Sequence, residues 1–253
     1  MTSTMFPRPI AHRGLHDLAA GVIENSASAF AAAIAGNFAI ECDVQLTSDG
    51  VAVVFHDDDM KRLLGLPGAI ADATSAQVTT TPLLGSATGD CPQRFDEFLA
   101  QIAGRTLLQI ELKQQRDAAG TALLARLVAN SLAAYEGPVT VESFDPRLLI
   151  AIREAGFSGP RGIITYDYDR PEWDSGLSED QRYTLRHLLH WHETGFDFIS
   201  CHQEALELPA IKFWRALGKP VTAWTIRSRV EAAAAWPHID QIVFEGFNPD
   251  IAP

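Results

Sequence analysis

Short, nearly continuous apolar runs recur along the chain at Pro9–His12, Phe38–Leu46, Val51–His56, Thr106–Leu112, Pro138–Ser143, Arg161–Thr165, Phe196–Ser200, Lys219–Thr225 and Gln241–Phe244. Runs of this kind are expected of strands covered on both faces. Between them the apolar period becomes helical. Phe30, Ala33 and Ile34 share a face after Asn25-Ser26, with Gly36 as a stop. Leu123, Leu124, Leu127 and Val128 mark a second stripe. Asp145-Pro146 reads as an N-cap and first helical residue, followed by Leu148, Leu149 and Ile152 and closed by Gly156. Ser178-Glu-Asp-Gln181 and Ser228-Arg-Val-Glu231 have the spacing of capping boxes. The first opens a helical segment with the stripe Leu185, Leu188 and Leu189.

Strands alternating with helices predict a parallel sheet. Val51–His56 is the exception, because only Thr47-Ser-Asp-Gly50 separates it from the strand before. That is turn chemistry, too short for a helical crossover, so this run is expected as a hairpin arm. Eight strands remain. With their helices they fit an α/β fold of the (β/α)8 TIM-barrel type, as one domain over residues 1–253. A doubly wound open sheet is the alternative, but no G-x-G-x-x-G follows the first strand. Asp57 to Phe95 carries Gly65, Pro67, Gly68, Pro82, Gly85, Gly89 and Pro92. It is expected as an irregular excursion across the barrel mouth.

The polar residues that interrupt the strands sit at or near their C-terminal ends, which is the active-site face of such a barrel. They are His12-Arg13-Gly14, Glu41-Cys42-Asp43, His56-Asp57 and Glu111-Leu112-Lys113. Glu41 and Asp43, two apart on a strand, point to one face. Glu111 on the next barrel strand brings a third carboxylate. Clustered bare carboxylates are costly to bury. They either bind a hard divalent cation, Mg2+ or Ca2+, through oxygen ligands, or they pair with Arg13 and Lys113 as a structural ion network. His12 and His56 are either an acid/base pair or structural histidines bonded to backbone. Arg13 and Lys113 would suit phosphoryl oxygens as well as balance the acids. Phe144 and Trp224 either wall a pocket or belong to the core. His187, His190 and His192 read as surface or packing residues. No H-E-x-x-H, G-x-S-x-G or Walker A pattern occurs.

A formal charge of −12 argues against non-specific binding of nucleic acid or anionic membrane. It leaves room for a small anionic substrate in one cation-lined pocket. Cys42, Cys91 and Cys201 are scattered and odd in number, which suits a reducing, cytoplasmic setting. No signal peptide is read at Met1–Pro9, and no apolar window is long enough for stable membrane insertion. The oligomeric state is not legible.

The stretches IAHRG, ENSASAF and AIECDVQLTSDGVAVVFHDD resemble the glycerophosphodiester phosphodiesterase family, and QIELK, VESFD and AWTIRS resemble its later landmarks. The likeness runs from about Ile10 to Asp250 and is strongest before Asp59. It implies a TIM barrel and metal-dependent hydrolysis of glycerophosphodiesters, deacylated phospholipids, to an alcohol and glycerol 3-phosphate. Carried over, it makes His12 and His56 the acid/base pair and Glu41, Asp43 and Glu111 the metal ligands. Arg13 and Lys113 become phosphate contacts, and Glu24 and Asn25 lie near metal and substrate. The sequence departs from the family pattern at Ser26, at Arg62-Leu-Leu-Gly65 and at Ile242-Val-Phe-Glu245-Gly, where the family's usual I-x-T-D-x-P is missing. Two alternatives stay open. One is lysophospholipase D or phospholipase-C-like action on a lipid, for which the sequence offers no strong apolar rim. The other is a non-catalytic, metal-stabilised binding protein.

Overall fold

The computed structural model describes residues 5–170, 173 and 176–250. Its strands are β1 (Ile10–Ala11), β2 (Ala39–Leu46), β3 (Ala52–Val54), β4 (Leu108–Leu112), β5 (Val139–Ser143), β6 (Arg161–Thr165), β7 (Phe198–His202), β8 (Val221–Ile226) and β9 (Gln241–Phe244). Every apolar run read as a strand is one. The sheet runs β1-β9-β8-β7-β6-β5-β4-β2-β3 and closes where β1 also pairs with β2. All ladders are parallel except β2 with β3, which is antiparallel. The result is a closed eight-stranded parallel barrel with one extra hairpin strand.

Alternation along the strands sorts the core into two layers. Ile40, Cys42, Val44, Ile110, Val141 and Ile199 face outward against the helices Ala27–Ala35, Phe95–Ile102, Ala118–Ala133 and Pro146–Glu154. Inside, the barrel floor is filled by Phe6, Ile10, Ala39, Leu107, Phe198 and Val243. Phe6 meets Phe198 edge-on with ring centroids 5.1 Å apart. Gly162 makes this filling possible, because a Cβ there would lie 2.2 Å from the Phe198 ring. Above the floor the inward side chains are polar, and there the site begins.

The helix starts follow from side-chain capping. Ser26 accepts the Ala29 N–H, Asp117 the Gly120 N–H and Asp145 the Arg147 N–H. The box at Ser178 is complete, with Gln181 returning to the Ser178 N–H. The one at Ser228 is half made: its hydroxyl accepts the Glu231 N–H, but Glu231 takes the N–H of Arg227 instead of Ser228. The stripe Leu185, Leu188, Leu189 does not stay on one helix. The helix Glu179–Arg186 ends first, and Leu188 takes a left-handed conformation at φ 54°. His192 is exposed, His187 is half-buried against the Tyr183 ring, and His190 is buried beside Thr194.

The excursion after β3 is more ordered than its composition suggests. It carries the short helices Lys61–Leu64 and Ser75–Thr79. Met60, Leu63, Leu64, Ile70, Val78 and Leu83 form a small core of their own against Ile23, Val53 and Phe55. Among the described residues no helix is long and apolar enough to cross a membrane. The leader reading at the N-terminus falls partly on residues 1–4, outside the described residues.

Candidate active site

Parallel pairing of β2 with β4 sets Asp43 directly opposite Glu111, with Glu41 one inward step below. Ligand oxygens of Glu41, Asp43 and Glu111 all lie within 4.8 Å of one another, and all three residues are buried. The expected ion pairs are present as well. Lys113 Nζ is 3.0 Å from Glu111 and 3.5 Å from Asp43, and Arg13 Nε is 3.5 Å from Asp43. The Arg13 backbone N–H donates to Glu41 Oε2 at 2.9 Å. The two readings of the cluster, cation site and ion network, are thus geometrically compatible.

Charge is unevenly distributed within it. Burial, with Asp43 and Glu111 nearby, pushes the Glu41 carboxyl well above the usual range. Burial would raise Asp43 too, but His56, Lys113, Arg13 and the Asn25 amide outweigh it and hold Asp43 well below that range. Two cations do not balance three close carboxylates, and Glu41 carries the shortfall as an upward shift. An all-oxygen donor set short of positive charge fits a hard divalent cation.

Local backbone serves this cluster. Arg13 and Asn25 both adopt positive φ, at 55° and 54°, and the Asn25 N–H donates to the Arg13 carbonyl. Non-glycine residues held this way are costly and cluster at functional sites. Gly14 next to them, at φ 79°, abuts the helix Ala27–Ala35, where a Cβ would meet Ala29 at 2.9 Å. Asn25 donates to Asp43 at 2.8 Å, and Glu24 accepts from Arg13 at 2.6 Å and from Arg62 at 2.6 and 2.9 Å. Glu24 and Asn25 therefore sit one layer behind the cavity wall, bracing Arg13 and Asp43.

A cavity of about 820 Å³ opens over the cluster and is lined by His12, Arg13, Glu41, His56, Glu111, Lys113, Phe144 and Trp224. Most of the sequence candidates thus line one cavity, while Asp43, Glu24 and Asn25 lie behind its lining. Phe144 and Trp224 meet edge-on at 5.5 Å, forming the apolar side. His56 and His12 are each held through Nδ1 by a carboxylate: Asp57 at 2.7 Å and Glu245 at 2.6 Å. Arg62 grips Asp57 through two bonds of 2.7 Å. His12 Nε2 lies 3.9 Å from Glu41. Burial and Arg13 push the His12 imidazole down to about 4, against the opposing pull of Glu245.

Sequence reasoning gave no role to Glu245, Glu142, Trp173 or His202, which the structure brings to the site. Glu245 follows β9 directly, the position that singled out His12 after β1, so the signal was available. Glu142 faces Glu111 across the β4–β5 ladder and accepts the Gln109 amide at 2.8 Å. Burial lifts its carboxyl to about 8. A neighbouring cavity of about 750 Å³ shares Glu111, Lys113, Phe144 and Trp173, and adds Ile70, Tyr166, Tyr168, Leu177 and Leu185. This apolar wall comes from distant segments and had no sequence signature.

The sequence model of the glycerophosphoryl diester phosphodiesterase family matches residues 12–244. The chain is 28% identical over 232 residues to YhdW of Bacillus subtilis (strain 168), which is named a glycerophosphodiester phosphodiesterase; the match covers 88% of each chain. Among solved structures, an Oleispira antarctica phosphodiesterase in complex with the product sn-glycerol-3-phosphate superposes with a TM-score of 0.78 at 19% identity. That match covers 96% of this chain and 94% of the other. A Silicibacter pomeroyi glycerophosphoryl diester phosphodiesterase structure gives 0.75 at 23% identity, covering 94% and 90%. The structural matches share the fold.

Proposed function

The chain belongs to the glycerophosphoryl diester phosphodiesterase family, and from that premise we propose that it hydrolyses a small glycerophosphodiester to an alcohol and glycerol 3-phosphate with His12 and His56 as the acid/base pair. The observation that carries this reading is one cavity lined by two carboxylate-bound imidazoles over a buried three-carboxylate cluster. Glu41, Asp43 and Glu111 would hold a divalent cation, Mg2+ or Ca2+, which when bound neutralises charge on the phosphodiester oxygens. Arg13 and Lys113 face the same space and add positive charge where the transition state gathers negative charge. One imidazole takes the proton of the attacking hydroxyl and the other gives a proton to the leaving alkoxide, so the P–O ester bond breaks without a free alkoxide. Phe144 and Trp224 close the apolar side of the substrate. The protein acts as a single barrel domain on a soluble small molecule, with no nucleic-acid partner.

The test is glycerol 3-phosphate release by His12→Ala and His56→Ala beside wild type. Each substitution is expected to lower the rate by about 10²–10⁴-fold. A loss of only a few-fold removes that histidine from proton transfer. A second reading, action on a lysophospholipid, is favoured by the apolar wall of the adjoining cavity. It predicts faster turnover of lysophosphatidylcholine than of glycerophosphocholine, and the reverse order discards it.

A further inference from the structure

Each imidazole of the site is clamped by a carboxylate, and the clamp on His12 is the less obvious one. His56 is held by its chain neighbour, Asp57. His12 is held by a residue 233 positions away, Glu245, immediately after the last barrel strand, where the chain departs from its family's usual ending. The closure of the barrel creates the contact, since β1 pairs with β9 and Ala11 stands opposite Phe244. The His12 backbone N–H also donates to the Phe244 carbonyl at 2.9 Å. The backbone and the ring of the histidine are therefore tied to two consecutive residues, Phe244 at the end of the closing strand and Glu245 just after it.

The chemistry of the pair fixes more than position. An ionised carboxylate only accepts hydrogen bonds, so at 2.6 Å it is His12 Nδ1 that carries the proton. The neutral ring then has its lone pair on Nε2, the nitrogen 3.9 Å from Glu41. Glu245 is itself held: Arg227 Nε donates to its other oxygen at 2.7 Å, and His16 Nε2 approaches the first at 3.6 Å. His12 and Arg227 outweigh the effect of burial and keep the Glu245 carboxyl well below the usual range, so it stays an acceptor.

We propose that Glu245 is the positioning residue for His12: it accepts the Nδ1 proton and, anchored by Arg227, holds the ring in the one tautomer and orientation that turn Nε2 toward the phosphodiester. It touches neither substrate nor cation and acts only through the imidazole. The role rests on the proposed acid/base function of His12, but the clamp can be read without turnover.

The experiment uses the full chain and three variants, Glu245→Gln, Glu245→Asp and Glu245→Ala. Glutamine preserves size but presents an amide that can donate to Nδ1, which selects the opposite tautomer. Long-range ¹H–¹⁵N NMR of histidine-labelled, EDTA-treated protein at pH 8 reports the tautomer, with the His12 signals assigned by their loss in His12→Asn. Wild type should show the proton on Nδ1, and Glu245→Gln should show it on Nε2 or split between the two. With glycerophosphocholine and Mg2+ or Ca2+, Glu245→Gln should lower kcat by about 10²–10⁴-fold and leave KM within about 3-fold; wrong-tautomer substitution of a histidine-orienting carboxylate gives losses of this order. Glu245→Asp should recover at least about tenfold of that loss, and Glu245→Ala should not. Wild type with the proton on Nε2, or Glu245→Gln with an unchanged tautomer or a kcat within about 3-fold of wild type, overturns the proposal. If wild type turns over no phosphodiester, the functional reading fails on its own, and the tautomer still decides whether Glu245 sets the ring.

Discussion

Replacing Glu41 by glutamine separates two effects of the acidic cluster on the fold. The ligand oxygens lie within 4.8 Å of one another. Two ionised carboxylates at that distance repel by about 3.5 kcal/mol at an effective dielectric of about 20. Arg13 and Lys113 offset part of this, and burial together with Asp43 and Glu111 leaves Glu41 protonated well above its usual range. Glutamine keeps the shape of the side chain and the acceptor for the Arg13 N–H. In EDTA at pH 8 the variant should therefore be more stable than wild type, by about 1–3 kcal/mol. A divalent cation at a hundred times its Kd adds about 2.7 kcal/mol to the protein that binds it. For a chain of this size that raises the wild-type Tm by about 5–10 °C. The variant, short of one anionic ligand, should lose most of that rise, so its advantage in EDTA should shrink or reverse at saturating cation. Thermal unfolding of both proteins in EDTA, Mg2+ and Ca2+ provides the readout. Equal cation-induced shifts in the two proteins, or none in wild type, would refute the assignment of Glu41 as a ligand. The same logic makes binding release a proton, so wild-type affinity should rise with pH.

Glu142 gives a second pH signature. Burial raises its carboxyl to about 8, so the folded state binds its proton more tightly than the unfolded chain does, and stability falls as pH climbs from about 4.5 to about 8. In EDTA, Glu142→Gln should gain stability across that window and level off above it; a difference independent of pH contradicts the burial argument. Glu24 runs the other way. Burial alone would raise it, but Arg62 and Arg13 bring it down to about 2, so its contribution is present above about 4.5 and lost as pH falls toward about 2. Glu24→Gln should cost about 2–3 kcal/mol at pH 7 and nothing near pH 2, measured by urea unfolding. Gly162→Ala should destabilise by about 1–3 kcal/mol or more through overpacking against Phe198, and a neutral result would mean that the barrel floor yields.

The barrel was legible because its strands are continuous apolar runs and its helices carry their own caps, and both signals are local. The hairpin arm was legible from the turn chemistry of Thr47 to Gly50. Local signals failed where tertiary contacts decide. Leu188 fits a helical stripe, yet it turns left-handed at φ 54° once the chain must return toward β7. Glu231 fits a capping box, yet the Arg227 N–H claims its carboxylate. The excursion after β3 looked irregular because its small core is completed by Ile23, Val53 and Phe55 from outside it. At the site, the residues that end strands were visible because position alone marks them in a barrel. The partners that set their chemistry were not. Asn25 and Glu24 reach Asp43 and Arg13 from a loop, and Glu245 meets His12 only because the last strand closes on the first.

Cation-dependent cleavage of a glycerophosphodiester at this cavity can be observed directly. Its most direct test is ³¹P NMR of the wild-type protein with glycerophosphocholine, glycerophosphoethanolamine or glycerophosphoglycerol, each in Mg2+, in Ca2+ and in EDTA. A glycerol 3-phosphate resonance should grow with at least one substrate in the presence of cation. EDTA should stop that growth, and re-added cation should restore it. Cleavage that proceeds unchanged in EDTA, or no cleavage of any of the three by folded, cation-saturated protein, would contradict this reading of the site.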